Sequence, residues 1–542
     1  MINNSWKIKT NSPPKKNSKW LLDVLAKNRG LTTPKKLADF LNPKLEHILE
    51  VQLTETQKAV TRILKARSKK EKIIVYSDYD ADGICATAIM WETIFDLGTN
   101  VLPYVPHRIK EGYGLSTGAI TKLAKDKVKL IITVDHGVTA ASQIEHAKNL
   151  GVDVIVTDHH VLPQKLPRPL ALVHTVDLCG AGVSWRLCWE IVKAMSPAYK
   201  EKLIEKLELA SLATIADLVP LIGASRAIVK LGLEKISQTK RPGIKALIKA
   251  SNINRSITTY ELGHILAPRI NAMGRIEHAI DSLRLLCAKN ARQADELSQL
   301  LSKTNSLRQD LTTKAFLIAR DLVEEKALVQ IISHEDLHEG VIGLVAARLV
   351  EIFYKPAIVI AKGKIYSKGS ARSIPGFNIV EAIRSSSEYL VDGGGHPMAA
   401  GFTIETRHIE TFRQKIQSYA SAKIVEGILN PTVEIECELQ KEDINRNSLE
   451  IIKEFEPYGV SNPNPVFLTR NMLVEDVRCV GNESQHLKLQ VDGINAIGFN
   501  MGQMRAKIRP GYQIDLVYAL QEDSYNGNGS IQLKIKDLTV SV

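Results

Sequence analysis

Three aspartates, Asp78, Asp80 and Asp82, stand at alternate positions in SDYDADG, with Gly83 closing the motif. Carboxylates this close repel one another and raise each other's pKa unless a cation neutralises them. Further along, TVDHG supplies Asp135, and TDHH supplies Asp158, His159 and His160. The pooled donors are carboxylates and imidazoles with no thiolate. That set suits Mn²⁺ or Mg²⁺, whereas a structural zinc site usually recruits Cys. The donors suffice for two ions, and paired ions serve phosphoester hydrolysis by activating water and stabilising the leaving oxygen. An EF-hand calcium loop is excluded, because the twelfth position counted from Asp78 is Ile89 rather than Glu.

The elements that must position these groups follow from hydropathy. An apolar β-branched run at 73–75 precedes the first acids, and an amphipathic helix over about 84–97 follows, closed by Gly98. A buried strand at 130–134 ends at Asp135, a helix over 140–150 ends before Gly151, and VDVIVTDHH is another buried strand ending at Asp158. Strand, helix and strand at this spacing make a βαβ unit and a parallel sheet with both faces covered. Ligands of open α/β sheets bind beyond the carboxyl ends of the strands, where these acids and histidines lie.

Later landmarks are a helical segment at 203–212 running into ATIADLVPL, then LAPRINAMGR, then a charged helical pattern over 280–325 without Pro or Gly. That length suits a connector between lobes. Strands at 328–333 and 357–361 open a second α/β lobe that ends near GGGHPMAAGF. From about residue 431 the texture changes to short alternating strands, HLKLQV, AIGFN, QIDLVYAL and SIQLKIKDL, with turn residues at 526–529, which suits a small β-barrel. The expected division is a helical extension (1–70), a parallel-sheet lobe (71–278), a connecting helix (279–326), a smaller α/β lobe (327–430) and the barrel (431–542).

The 542 residues exceed what one hydrophobic core supports, and 44% hydrophobic with 24% charged residues excludes a mostly disordered chain. No apolar run approaches a membrane span, the basic N-terminus lacks the apolar core of a secretory signal, and the six Cys contain no CxxC pair. A soluble cytoplasmic protein is expected. The net charge of +12 permits a polyanionic partner. It is unevenly spread: residues 431–542 hold 11 Lys and Arg against 16 Asp and Glu, a net −5, which leaves +17 on residues 1–430.

In order, SDYDADG, TVDHG, TDHH and ATIADLVPL resemble the DHH phosphoesterase superfamily. APRINAMGR, LHEGVIGLVAARL, KGSARSIPGFN and GGGHPMAAGF look like its RecJ branch, the single-strand-specific 5′→3′ exonucleases. The resemblance extends over about residues 72–538, including EFEPYGVSNPNPVF and a barrel similar to an OB-fold. It makes the two lobes DHH and DHHA1 domains. It implies metal ligands at Asp78, Asp80, Asp82, Asp135, His159 and Asp217, of which Asp217 alone would read as a helix-end acid. It places His160 beside the scissile phosphate, assisting Asp80 and Asp135 in catalysis by polarisation or proton transfer. Ser370, Arg372 and Ser373, around a small-residue turn, with His396 in GGGHP, Arg275 and Arg108, become contacts to the 5′ phosphate and the strand behind it. Without the resemblance, each of these basic residues would read as a solvated surface charge. Tyr113, between two glycines, either stacks on a base or packs as a turn tyrosine.

Two departures stand out. VHTVDLCGAGVSW lies where relatives usually carry an Asn-Pro step and a longer loop, and LHEG keeps His338 but puts Leu337 where an aromatic is usual. The resemblance implies an exonuclease that uses two Mn²⁺ or Mg²⁺ ions to release mononucleotides from the 5′ end of single-stranded DNA. A narrow inter-lobe groove would exclude duplex. Expected roles are recombination and repair as a monomer, beside single-strand-binding protein and a RecQ-type helicase. The alternatives are a DHH enzyme for short oligonucleotides, dinucleotides or pyrophosphate, and a non-catalytic strand-binding scaffold. The extra barrel and N-terminal region argue against the first, the complete set of acids against the second.

Overall fold

The computed structural model describes residues 5–11, 19–112, 114–425, 427–523 and 529–541, so Tyr113 and most of the turn expected at 526–529 lie outside the described residues. The chain divides into two compact units, residues 8–304 with 435–542, and residues 1–7 with 305–434. Among the described residues no helix is long and apolar enough to cross a membrane.

Residues 1–70 contain more than helices, since they open with strand β1 (Ser5–Ile8). The following helix, Trp20–Asn28, buries Leu21, Val24 and Leu25 in one cluster with Phe455, Phe467 and Leu516 of the C-terminal region. A nine-residue helix is marginal alone and persists by burying its apolar face.

Five parallel strands form the first sheet: β2 (Lys72–Tyr76), β3 (Val101–Tyr104), β4 (Val128–Val134), β5 (Asp153–Asp158) and β6 (Ala171–His174), in the order β3-β2-β4-β5-β6. Alternation along β2 sends Ile73 and Val75 into one core and Ile74 and Tyr76 into another, so the sheet is covered on both faces. Helices Ala81–Asp96 and Gly180–Met195 cover the first face, and Thr117–Lys125 and Ala141–Asn149 the second. The chain leaves β2 toward β3 and returns across it to β4. The carboxyl ends of β2 and β4 therefore flank a topological switch point, the natural ligand crevice of an open α/β sheet.

The charged pattern expected as one connecting helix is two helices, Ile280–Leu286 and Ala291–Asp321. A cap breaks it: the Asn290 side chain accepts the Gln293 N–H at 2.9 Å, starting a new helix where charge periodicity shows none.

In the other unit, β7 (Gln330–His334), β8 (Ala357–Ala361), β9 (Tyr366–Arg372), β10 (Leu390–His396) and β11 (Ala399–Glu405) form a sheet in the order β10-β11-β9-β8-β7. Helices Ile379–Arg384 and Ile409–Lys423 bury Ile379, Ile383, Phe412 and Ile416 in its core. Strand β12 (Thr432–Ile435) pairs with β1.

The C-terminal region carries the short β13 (Cys437–Glu438) and five longer strands, β14 (Phe467–Val480), β15 (His486–Val491), β16 (Ile494–Gly498), β17 (Gln513–Glu522) and β18 (Ile531–Ser541). The order β14-β15-β16-β18-β17 closes through a β14–β17 pairing, and only β16–β18 is parallel within the barrel. A closed five-stranded barrel of this connectivity is an OB-fold.

Candidate metal centre

The acids after β2 are fixed by the start of the next helix. Asp80 caps it, accepting the Gly83 N–H at 3.0 Å. Gly83 is required by proximity, because a Cβ there would lie 2.6 Å from the Asp78 Cβ. Asp78 accepts the N–H of Tyr79 at 2.6 Å. Asp82 is buried and takes the N–H groups of Gly180 and Ala181, both at 2.7 Å, at the N-terminus of the Gly180–Met195 helix. Asp135 leaves β4 with a left-handed φ of 68°. His159 and His160 follow β5, and Asp217 caps the C-terminus of helix Leu207–Ala216.

These chain-distant groups converge. His159 Nε2 lies 3.1 Å from Asp135 Oδ1, 3.5 Å from Asp217 Oδ2 and 3.8 Å from Asp82 Oδ2. Three sets place their ligand atoms within 4.8 Å of one another: Asp78, Asp80 and Asp135; Asp82, His159 and Asp217; and Asp135, His159 and His160. All six residues expected as ligands are present in these sets, and Asp135 belongs to two of them.

The electrostatics fit a cation. Burial, reinforced by the Asp80 charge, pushes the Asp78 carboxyl well above the usual range and Asp82 up to about 6. Burial with the charges of Asp82 and Asp80 lifts Asp217 to about 8, and burial with Asp82, Asp80 and Asp78 raises Asp135 strongly. Asp135 Oδ1 is buried and accepts no hydrogen bond among the described residues. Five clustered carboxylates, one of them with a buried oxygen that has no donor among the described residues, beside an imidazole, are a fit for hard divalent cations.

Asp158 is not in any of the three sets. It accepts the N–H groups of His159 (2.7 Å), His160 (3.1 Å) and Val138 (3.0 Å), and it lies 2.8 Å from His160 Nδ1. Burial would raise it, but His160 and these donors hold it well below the carboxylate range. Burial likewise opposes the charge on His160, yet the Asp158 bond and charge prevail and push His160 up to about 9. His136, by contrast, is fully buried under the sheet edge, and burial drives it down to about 4, so it is neutral.

The remaining expected residues separate. Arg108 lies over the Tyr79 ring at 5.0 Å, and the Arg275 charge acts on the same phenol, so both stand beside the acid loop. Ser370, Arg372, Ser373 and His396 belong to the other unit. Ser370 and Arg372 are on strand β9 rather than around a turn. Gly369, just before them, serves packing: a Cβ there would fall 2.1 Å from the Phe402 ring. Alternation then puts Ser370 and Arg372 on the opposite face, with Arg372 Nη1 3.5 Å from Ser370 Oγ. Ser373 is buried, and its hydroxyl donates to the Phe377 carbonyl at 2.5 Å. His396 is on the exposed strand β10.

Sequence reasoning missed Asn271. Its Oδ1 accepts the Ala81 N–H at 2.7 Å and so braces the acid loop, while the neighbouring Gly274 lets Tyr79 approach, since a Cβ there would lie 2.5 Å from the Tyr79 carbonyl oxygen. The only available signal was its place inside the APRINAMGR motif.

Comparison with known proteins agrees with this geometry. Residues 72–216 match the DHH family N-terminal domain, 324–422 the DHHA1 domain and 435–537 the RecJ OB domain. The single-stranded-DNA-specific exonuclease RecJ of Bacillus subtilis is 36% identical over 96% of this chain and 68% of its own length. Its Thermus thermophilus counterpart is 31% identical over 89% of this chain and 70% of its own. The crystal structure of RecJ in complex with Mn²⁺ from Thermus thermophilus superposes with a TM-score of 0.85 at 27% identity, covering 99% of this chain and 80% of that one. With the acid-bearing sheet, the second α/β sheet and the OB barrel all matched, the chain belongs to the RecJ family.

Proposed function

We propose that this chain is a metal-dependent exonuclease that degrades single-stranded DNA from its 5′ end and releases mononucleotides. The observation that carries the reading is the clustering of five carboxylates with His159, among them Asp135, whose buried Oδ1 lies 3.1 Å from His159 Nε2 and accepts no hydrogen bond among the described residues. Asp78, Asp80, Asp82, Asp135, His159 and Asp217 would hold Mn²⁺ or Mg²⁺, which would supply Lewis-acid charge and lower the pKa of water. The protein's own part is orientation and charge. The Gly180 and Ala181 amides aim Asp82, Asn271 and Gly83 fix the acid loop, and Asp158 keeps His160 protonated at neutral pH, so that it neutralises charge on the phosphodiester and can give up a proton.

Arg108 and Arg275, beside Tyr79, contact phosphates of the substrate, and Ser370, Arg372 and His396 supply further anion contacts from the DHHA1 sheet. Ser373 shapes the turn after β9 through its bond to Phe377. The cellular setting that fits is cytoplasmic recombination and repair, the enzyme acting as a monomer on strands opened by a helicase and covered by single-strand-binding protein.

The test uses single strands labelled at the 5′ or the 3′ end, and duplex, with Mn²⁺. A 5′ label leaves first as a mononucleotide, a 3′ label persists in a shortening ladder, duplex resists, and EDTA stops the reaction. Early loss of the 3′ label, or internal cuts, overturns the polarity and the exonuclease reading. A second expectation concerns Asn271. Asn271→Ala leaves the Ala81 N–H unsatisfied, and such supporting partners typically matter about 10–100-fold in metal affinity. A Mn²⁺ titration of the thermal midpoint should show an affinity loss of about tenfold.

A further inference from the structure

Next to Asp217 the surface opens into a cavity of about 530 Å³ that the metal chemistry does not use. Its floor includes Ile215, Leu218 and Val460, and Tyr260 and His264 stand on its wall. Leu218 follows the metal-ligand position directly, is 70% exposed and adopts a left-handed φ of 59°. A bulky apolar residue held exposed in that region is uncommon and clusters at functional sites.

The aromatic pair is built, not incidental. Tyr260 and His264 are four residues apart, their ring centroids 4.8 Å from each other, and the Arg255 guanidinium lies 5.5 Å from the Tyr260 ring. Buried Glu261 accepts the Arg255 Nε–H at 2.7 Å and the Thr258 N–H at 2.9 Å, which fixes the turn leading into the pair. The segment Glu261–Leu266 is a π-helical turn, an irregularity frequent at functional sites. Gly263 lets that turn sit against the Asp217-bearing helix, since a Cβ there would lie 3.1 Å from Ile215 Cγ2. The facing wall is the loop of Tyr458 and Val460, tied to the catalytic segment by Leu221 N–H donating to the Val460 carbonyl at 2.8 Å. That loop runs on to strand β14 of the barrel.

We propose that Tyr260 and His264 are a stacking platform for a base of the single strand where it leaves the metal centre in the direction of the barrel, an inference that rests on the exonuclease reading above. Two tilted rings, with an arginine over the tyrosine and apolar side chains beside them, offer stacking and cation–π contacts to any base, the means by which proteins hold single strands without reading sequence. The cavity is of ligand-pocket size and begins one residue from a metal-ligand position.

The experiment is steady-state hydrolysis of a 5′-phosphorylated thymidine 20-mer and of a thymidine dinucleotide by the full chain with Mn²⁺. Stacking on one aromatic platform corresponds to about tenfold in affinity. Tyr260→Ala combined with His264→Ala raises KM for the 20-mer by about that factor, in KM rather than kcat. The dinucleotide, too short to reach the platform, shows no such rise, and Tyr260→Trp keeps the KM of the wild type. An unchanged 20-mer KM in the double variant, or an equal loss on the dinucleotide, overturns the platform while leaving the exonuclease intact. A wild-type chain that fails to cut the 20-mer refutes the exonuclease reading itself.

Discussion

Asp135→Asn is expected to lower hydrolysis by about three orders of magnitude, about 4 kcal/mol of barrier, without destabilising the metal-free protein. Both halves follow from one geometry. Asp135 is shared by two of the three ligand sets, so its loss disturbs both of them at once. Its Oδ1 is buried and accepts no hydrogen bond among the described residues, and burial with the neighbouring carboxylates raises its pKa strongly, so the charge it carries is a strain on the metal-free fold. Asn keeps the volume, removes the charge and tolerates the left-handed φ of 68° that would strain most other residues. In EDTA the thermal midpoint of the variant should equal or exceed that of the wild type. Adding Mn²⁺ should raise the wild-type midpoint, because a ligand that binds only the folded state stabilises it by mass action, and leave the variant nearly unmoved. A variant that still gains stability from Mn²⁺ and still cuts DNA would remove Asp135 from the metal set.

The legible parts of this protein were those where chemistry follows a local pattern. Asp78 and Asp135 follow strands rich in β-branched residues, and Asp80 and Asp82 open the helix after the first of them, so strand, turn and acids are read together. Asp217 is different: it ends an apolar helix, and only the family resemblance singled it out. Asn271 had no local signal, because its function is one bond to an amide 190 positions away. Ser370 and Arg372 look like a turn because Gly369 and Ala371 are small, yet they lie on a strand whose Gly369 admits the Phe402 ring of the neighbouring strand. Likewise the N-terminal helix gives no hint in its own pattern that its apolar face completes the barrel core. What a residue touches far along the chain is set by packing, which periodicity does not encode.

The same blindness hides the charge network that holds the helix bearing Asp82. Glu92, Lys206 and Glu208 are buried and Arg241 nearly so, a placement that no local sequence pattern announces. Arg241 grips Glu92 with Nη1 at 2.9 Å and Nη2 at 3.0 Å, Lys206 Nζ reaches the same carboxylate at 2.7 Å, and Arg241 Nε reaches Glu208 at 2.7 Å. Glu92 lies near the end of helix Ala81–Asp96, whose first turn bears Asp82 and whose cap is Asp80, so the network anchors the helix that aims two ligands. Glu92→Ala leaves two buried cations short of a counter-charge, and breaking a buried pair from one side costs about 3–5 kcal/mol. The expected result is a large fall in thermal midpoint with a weaker loss of activity, and a smaller fall when Lys206→Met is made in the same background. The pH dependence has a definite sign. Burial would raise the Glu92 carboxyl, but Arg241 and Lys206 outweigh it and pull it from 4.5 to about 2. A carboxylate depressed in the folded state contributes its stability fully above about pH 4.5 and loses it as pH falls toward 2, here about 3 kcal/mol. Acid unfolding of the wild type should therefore steepen in that window, and Glu92→Gln should flatten it. Equal acid profiles for the two proteins would mean that the network holds no charge the fold depends on.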